Sequence, residues 1–250
     1  GDVYKRQYYN SLVVGTMGSG KSTLLKIMEE DEGVKGHFLR IFDVADEFVA
    51  LTEELGGKIL KPDGSGKDIQ NPLEILHATE SEQLNFSRHI SRLTTFYKAL
   101  NPEAESTEVT DFTNLLTEFY ESIGLTPIVD GVERQISGLP PTAYPIFSEF
   151  LDYLNKCIAE MLQKEYNEAE MVLAKTRLET LYNITGQISY IVKTYGNMFN
   201  GHSSINNIMD EQIVVFNISG LKDMATNVFA AQMTSLMALS VSYTHLRAHE

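Results

Sequence analysis

Cysteine, basic residues and long apolar runs are all scarce in this sequence, and each shortage excludes a class of protein. Cys157 is the single cysteine among 250 residues, so an internal disulfide cannot form, and no cysteine–histidine cluster has the spacing of a zinc site. No apolar run approaches the roughly 20 residues that cross a bilayer. The N-terminal stretch lacks the apolar core of a signal peptide. We therefore expect a cytoplasmic protein in a reducing setting.

The charge balance is strongly acidic. Lysine and arginine number 20 against 34 aspartates and glutamates, which gives a formal net charge of −14 and a pI near 4.9. Such a surface argues against broad non-specific binding of DNA or RNA, although a local basic patch lining a pore stays compatible with it. The length suffices for one large domain or two.

The most informative stretch is residues 15–22, which read G-T-M-G-S-G-K-S. This sequence fits the complete phosphate-binding pattern G-x-x-x-x-G-K-[ST]. An apolar run at 11–14 predicts a strand before the loop, and 23–30 predicts a helix after it. The order strand, glycine-rich loop, helix separates a P-loop from the alternative, a glycine-rich turn with a stray lysine.

The residue types in this loop suit the binding of ATP with Mg²⁺. Glycines let main-chain N–H groups approach phosphate oxygens, and the helix N-terminus adds its positive end. We expect Lys21, also a candidate catalytic residue, to reach the β- and γ-phosphates, and the Ser22 hydroxyl to ligate Mg²⁺. Thr23 is placed to contact the α-phosphate side. The predicted nucleotide-binding residues are Gly15, Thr16, Met17, Gly18, Ser19, Gly20, Lys21, Ser22 and Thr23.

The remaining pattern predicts an α/β fold with a parallel sheet and helices on both faces. Further strands are expected at 37–42, 58–60 and 213–218, and helices at 47–55 and 221–240. Between them, apolar residues at helical spacing predict helices at 81–100, 143–162 and 167–183, and another containing Phe112 to Tyr120, with a loop at 131–141.

This pattern divides the chain into three parts. We expect a P-loop core at 8–78, an all-helical insertion at 79–205 and a resumed core at 206–240. The end segments 1–7 and 241–250, GDVYKRQ and VSYTHLRAHE, resemble translated adapter sequence and are expected to be non-native tails. On that interpretation the sequence is an internal fragment of a longer protein.

Five short motifs in order resemble those of the motor ATPases of type IV secretion and conjugal transfer, which belong to the HerA–FtsK group of ring-forming P-loop ATPases. Besides the P-loop they are D-V-A-D-E-F at 43–48, L-G-G at 55–57, N-P-L at 71–73, Y-G-N-M-F-N-G at 195–201 and V-V-F-N-I-S at 214–219. Three residues depart from the family pattern: Val44 replaces proline, Phe48 replaces tyrosine and Asn217 replaces aspartate.

The resemblance implies a RecA-like P-loop NTPase fold with a helical insertion, and ATP hydrolysis that powers the transfer of DNA or protein. It also implies a homo-hexamer that works with membrane-embedded secretion proteins at the inner face of the cell membrane. The family's second acidic segment (Walker B), four apolar residues followed by Asp-Glu, has no match after the P-loop. We expect that segment to follow 221–240, so that this chain alone holds half of an ATPase site and is inactive by itself.

Several assignments stay open at this stage. Glu47 is a candidate catalytic carboxylate that could orient an attacking water, or merely an acidic residue at a helix start. Lys67, in the sequence G-S-G-K, is expected to lie in a turn. A DNA translocase or helicase of the same superfamily is one alternative function. A fragment that binds nucleotide without catalysis is another.

Overall fold

The computed structural model describes residues 12–205, 208 and 210–247, with side chains omitted for Ala169 and 241–247. It is a mixed α/β structure whose elements, in chain order, are α1 (Lys21–Val34), β1 (Leu39–Asp43), α2 (Val49–Glu54), β2 (Lys58–Leu60), α3 (Glu82–Leu100), α4 (Ser106–Ser122), β3 (Ile128–Val129), β4 (Val132–Glu133), α5 (Phe147–Gln163), α6 (Glu168–Thr194), α7 (Gly196–Phe199), β5 (Ile213–Asn217) and α8 (Thr226–Arg247). Among these helices none is long and apolar enough to span a bilayer.

The sheet is parallel, as the alternation of strands and helices predicts. Its order is β1-β5-β2, so β5 lies in the centre and pairs with both neighbours. All five residues of β5 are buried, and the ring of Phe216 stacks on Phe42 of β1 with centroids 5.0 Å apart. A run of β-branched and aromatic residues without alternation is typical of a strand covered on both faces.

The predicted strand at 11–14 is wrong for the part that the structure describes. Residues 12–14 form no strand, and Ser11 lies outside the described residues. Leu12 and Val14 are 86% and 78% exposed. A strand is stabilised by a paired neighbour and a buried face, and residues 12–14 have neither among the described elements.

The helices between β2 and β5 form where the apolar spacing predicts them, but their ends differ. α5 begins at Phe147 rather than 143, because Pro145 disfavours helical backbone in the residue before it. α6 begins as predicted, where Asn167 and Glu170 form a reciprocal capping box, and continues to Thr194. Its second half buries Ile184, Ile188 and Ile191, an apolar stripe at helical spacing that the prediction ended too early to include.

The region predicted as a loop at 131–141 starts with a small hairpin. β3 and β4 are antiparallel and joined by Asp130-Gly131, whose φ angles of 52° and 78° are both positive. An Asp-Gly pair between two short strands is the sequence signal of this turn, so the hairpin was predictable. α8 also runs beyond the predicted limit of 240, to Arg247.

The segments that enter and leave the helical region, residues 69–71 and 203–204, are hydrogen-bonded to each other. Ser204 N donates to Ile69 O at 2.9 Å, and its hydroxyl accepts from Ile69 N at 2.9 Å. Asn71 N donates to the Ser203 hydroxyl at 2.9 Å. A Cβ added at Gly201 would lie 3.0 Å from the Ile69 side chain, so a larger residue there would require that side chain to shift. The three-part division of the chain stays a prediction, since helix and sheet residues share one hydrophobic core.

A buried histidine holds the N-P-L segment against α3 and α4. The Tyr120 hydroxyl donates to Leu73 O at 2.6 Å and accepts from His89 Nε2 at 2.7 Å, while Arg92 donates to His89 Nδ1 at 2.8 Å. Because one imidazole nitrogen donates and the other accepts, His89 is neutral. Burial, with the Arg92 charge, holds the pKa of His89 well below its ordinary value.

This arrangement predicts acid sensitivity. The folded-state pKa of His89 is lowered, so its contribution to stability is complete above the unfolded value of 6.5 and is lost as the pH falls below it. We expect the free energy of unfolding, measured by urea titration between about pH 7.5 and 5.5, to fall by up to about 1.4 kcal/mol per pH unit from this residue.

His89→Gln, which keeps a donor for Tyr120 but does not titrate, should show a shallower pH dependence than the wild type. His202 is exposed, and His202→Gln should retain the wild-type dependence. Equal pH profiles for His89→Gln and the wild type would contradict the assignment.

Candidate nucleotide site

Two glycines of the loop at 15–22 have conformations that other residues adopt at a cost. Gly18 and Gly20 have φ angles of 76° and 84°, in the left-handed region, and no described atom lies within 4 Å of a Cβ added at either. A Cβ at Gly15 would come 2.4 Å from the Ser19 hydroxyl oxygen. Ser19 N donates to Thr16 O at 3.2 Å, which closes a turn within the loop. The loop is therefore compact and also open to a ligand.

Lys21 binds back onto this loop. Its ammonium donates to Gly15 O at 2.9 Å and to Thr16 O at 2.8 Å. The same residue begins α1, so main-chain N–H groups of the first helical turn lack partners within the helix. No side chain caps this end, and the first turn carries no acidic residue. The loop thus presents an ammonium group and the positive end of a helix together.

The helix that follows the loop is anchored by a buried acid. Glu29 is the one buried residue of α1, which is described along its whole length, and its Oε1 accepts from the Thr52 hydroxyl of α2 at 2.8 Å. Burial raises the pKa of Glu29, and its Oε2 has no hydrogen-bond partner among the described residues. The apolar residues of α1 are exposed instead: Leu24, Leu25, Ile27, Met28 and Val34.

The carboxyl ends of β1 and β5 meet at an edge where polar residues bind one another. Asp43, 2% exposed, accepts from Ala45 N at 3.0 Å and Phe48 N at 2.9 Å. It is the register partner of Asn217. Asp43 therefore holds the following loop in place.

Asn217, the departure from the family pattern, has a physical explanation. Its side-chain amide donates to the Asp46 carboxylate, and its oxygen accepts from the Ser219 hydroxyl at 2.7 Å. An aspartate at 217 would face Asp46 with a second negative charge. Asp46 has a φ of 60° and was missed by sequence analysis, although it lies in the D-V-A-D-E-F motif after a strand.

The structure does not bring Glu47 into a hydrogen bond. α2 begins at Val49, so Glu47 lies in the loop before it rather than at a helix start. Its side chain is exposed, without a hydrogen bond or ion pair to any residue of the described chain. Lys67 is also exposed and lies in an irregular turn, where Asp63 accepts from Ser65 N at 2.9 Å.

A parallel α/β sheet with a glycine-rich loop closed around a lysine at a helix N-terminus defines a P-loop NTPase. Residues 5–247 match the TraG P-loop domain. The chain belongs to that family, which is one of conjugation and type IV secretion ATPases, and this confirms the resemblance found in the short motifs.

Two similar proteins accompany this family match. The chain is 33% identical over 255 residues to the uncharacterized protein pXO2-09 of Bacillus anthracis, covering 96% of this chain and 37% of that protein. It is also similar in fold to VirB4 of Thermoanaerobacter pseudethanolicus, with a TM-score of 0.73 and 20% identity over 91% of this chain and 55% of the VirB4 chain. The chain thus spans little more than a third of one relative and about half of the other.

The geometry at the sheet edge predicts different effects for the two acidic residues of the motif. Asp43→Ala should lower the free energy of unfolding by about 2 kcal/mol, because two main-chain N–H groups lose their acceptor in a buried setting. Glu47→Ala should cause no measurable loss, because its side chain is exposed and unpaired in the described structure. Chemical denaturation of both variants measures this, and equal losses would contradict the structural role of Asp43.

Proposed function

We propose that this chain is the nucleotide-binding part of a motor ATPase that powers conjugal transfer or type IV secretion. The observation that carries the proposal is the pair of hydrogen bonds from the Lys21 ammonium to Gly15 O and Thr16 O. A lysine held across a glycine-rich loop is poised to exchange these carbonyl oxygens for phosphate oxygens, which bind an ammonium more strongly because they are charged. Membership of the TraG P-loop domain family supports the same function.

The residues of the loop fit ATP with Mg²⁺. The open left-handed positions at Gly18 and Gly20 leave room for phosphates to approach the main chain, and the uncapped start of α1 supplies N–H donors. Ser22, at the second position of the helix, is the proposed Mg²⁺ ligand, and Thr23 the contact on the α-phosphate side. The metal would neutralise charge on the phosphates, while Lys21 orients them.

Hydrolysis needs a group that positions water, and Glu47 is the proposed candidate within this chain. It lies in the loop that follows β1, at the carboxyl edge where ligands of parallel α/β sheets bind. The longer relatives leave room for further catalytic groups outside the part matched here. A homo-hexamer, membrane-embedded partner proteins and a position at the inner face of the cell membrane belong to the same proposal.

The proposal predicts that Lys21→Ala weakens nucleotide binding by at least about tenfold, because a charge-assisted contact to phosphate is lost. Binding of a fluorescent ATP analogue with Mg²⁺, followed by anisotropy, measures the effect. Lys67→Ala is the matched control: it removes an exposed lysine that also follows a Gly-Ser-Gly sequence, and binding should not change.

Equal affinity of the Lys21→Ala variant and the wild type would refute the nucleotide site. The activity is tested separately, on the intact protein that carries this chain, by phosphate release with and without Glu47→Gln. Turnover that rises strongly with added DNA, in the absence of any secretion protein, would favour the translocase alternative instead.

A further inference from the structure

A groove far from the phosphate loop in sequence lies between α4, α5 and the first half of α6. Its cavity volume is about 510 Å³. The apolar lining is formed by Leu115, Cys157, Met161, Leu173 and Leu181. Leu115 and Leu181 are buried and form the base, whereas Leu173 is 74% exposed on the rim. None of these residues belongs to the candidate nucleotide site, so the groove needs a separate explanation. We call it the α4–α6 groove.

The α6 wall of this groove is apolar on more sides than a solvated helix should be. Met171, Val172 and Leu173 are consecutive and are 53%, 68% and 74% exposed. At about 100° per residue these side chains span about 200°, slightly more than half of the helix circumference. Leu173 lines the α4–α6 groove, whereas Met171 and Val172 lie on the opposite side of the helix. Within the groove, the exposed side chain of Leu173 adds to the apolar lining of Leu115, Met161 and Leu181, and a contiguous apolar surface of this kind marks a site that another molecule covers.

The rim of the groove carries mostly negative charge. Asp111 and Glu118 of α4 lie two turns apart along one wall, and Glu160 and Glu170 come from the other helices. They outnumber the two basic lining residues, Lys164 and Arg177. An apolar base between acidic walls complements a helix with an apolar stripe and basic flanks. A second copy of this chain, with its net charge of −14, is a poor match for such walls.

We propose that the α4–α6 groove binds an amphipathic helix of a partner protein, with leucine-like residues on one face and lysine or arginine beside them. Burying Leu173 and Met161 supplies the hydrophobic contribution, and the acidic walls set the orientation and select a basic partner. The proposal is independent of the nucleotide site, because binding at the groove requires neither ATP nor Mg²⁺.

The test uses the 250-residue chain and two synthetic helical peptides. Both carry leucine along one face; one has lysine at all other positions and the second has glutamate there. We expect the lysine peptide to bind, by fluorescence anisotropy without nucleotide, and the glutamate peptide not to bind. Bound lysine peptide should also slow the reaction of Cys157 with a thiol reagent, since this single cysteine lines the groove.

Matched variants locate the binding. Leu173→Glu should weaken binding of the lysine peptide by about tenfold or more. Val172→Glu should leave that binding unchanged, because Val172 is similarly exposed but lies on the opposite side of α6. Glu118→Gln should weaken binding of the lysine peptide by about threefold. Glu121→Gln, on the same helix but outside the groove, should leave that binding unchanged. Circular dichroism verifies that each variant keeps its helix content.

Three results would overturn the proposal. One is equal binding of the lysine peptide by Leu173→Glu and Val172→Glu. Another is equal binding of the two peptides by the wild type. The third is self-association of the chain, seen by sedimentation and abolished by Leu173→Glu, which would make a second copy the occupant. Each can occur whether or not Lys21 binds nucleotide, so failure here is distinct from failure of the proposed function.

Discussion

The pairing of β5 with β1 on one side and β2 on the other is the constraint on which the rest of this structure depends. Every residue of β5 is buried, so its N–H and C=O groups must find partners in the neighbouring strands. These partners precede it by more than 150 positions in the sequence. The chain between them has to leave the sheet, bury its own apolar side chains in helices, and return to the same place. The hydrogen bonds of Ile69 and Asn71 with Ser203 and Ser204 join the two ends of this helical segment.

The same pairing arranges the edge at which the polar residues meet. Asp43 and Asn217 end their strands in register, and each holds a loop through hydrogen bonds to main-chain N–H groups. α1, which starts with the phosphate loop, contacts α2 through the buried pair Glu29 and Thr52. α1 also contacts the sheet near its C-terminal end, where Gln212, just before β5, donates to Gly33 O, while the apolar side of α1 stays exposed. The sheet edge is well supported by contacts, and the phosphate loop has few.

Much of the fold could be predicted from the sequence because its signals are local. The spacing of apolar residues placed α3 and α4 closely, and β2 was predicted with its observed ends. The predicted strand at 11–14 is wrong over the described residues, since apolar composition cannot supply a pairing neighbour. The hairpin at Asp130-Gly131 was not predicted, although its turn residues indicate it. α6 extends past its predicted end along Ile184, Ile188 and Ile191, whose helical spacing continues the apolar stripe beyond the predicted limit.

By itself the sequence determined the chemistry of the phosphate loop, namely glycines free to adopt positive φ and a lysine at a helix start, because these properties depend on residue type and near neighbours alone. It also determined the family, through short motifs in a given order. Only the tertiary structure decided that Asp43 binds main-chain N–H groups and that Asn217 donates to Asp46. It also decided that His89 is neutral and buried, and that Leu173 is exposed at the rim of an acidic groove. Apart from the local contacts of Asp43 with Ala45 and Phe48, these features depend on residues distant in the sequence. Contacts of that kind arise only when the strands have paired and the helices have packed.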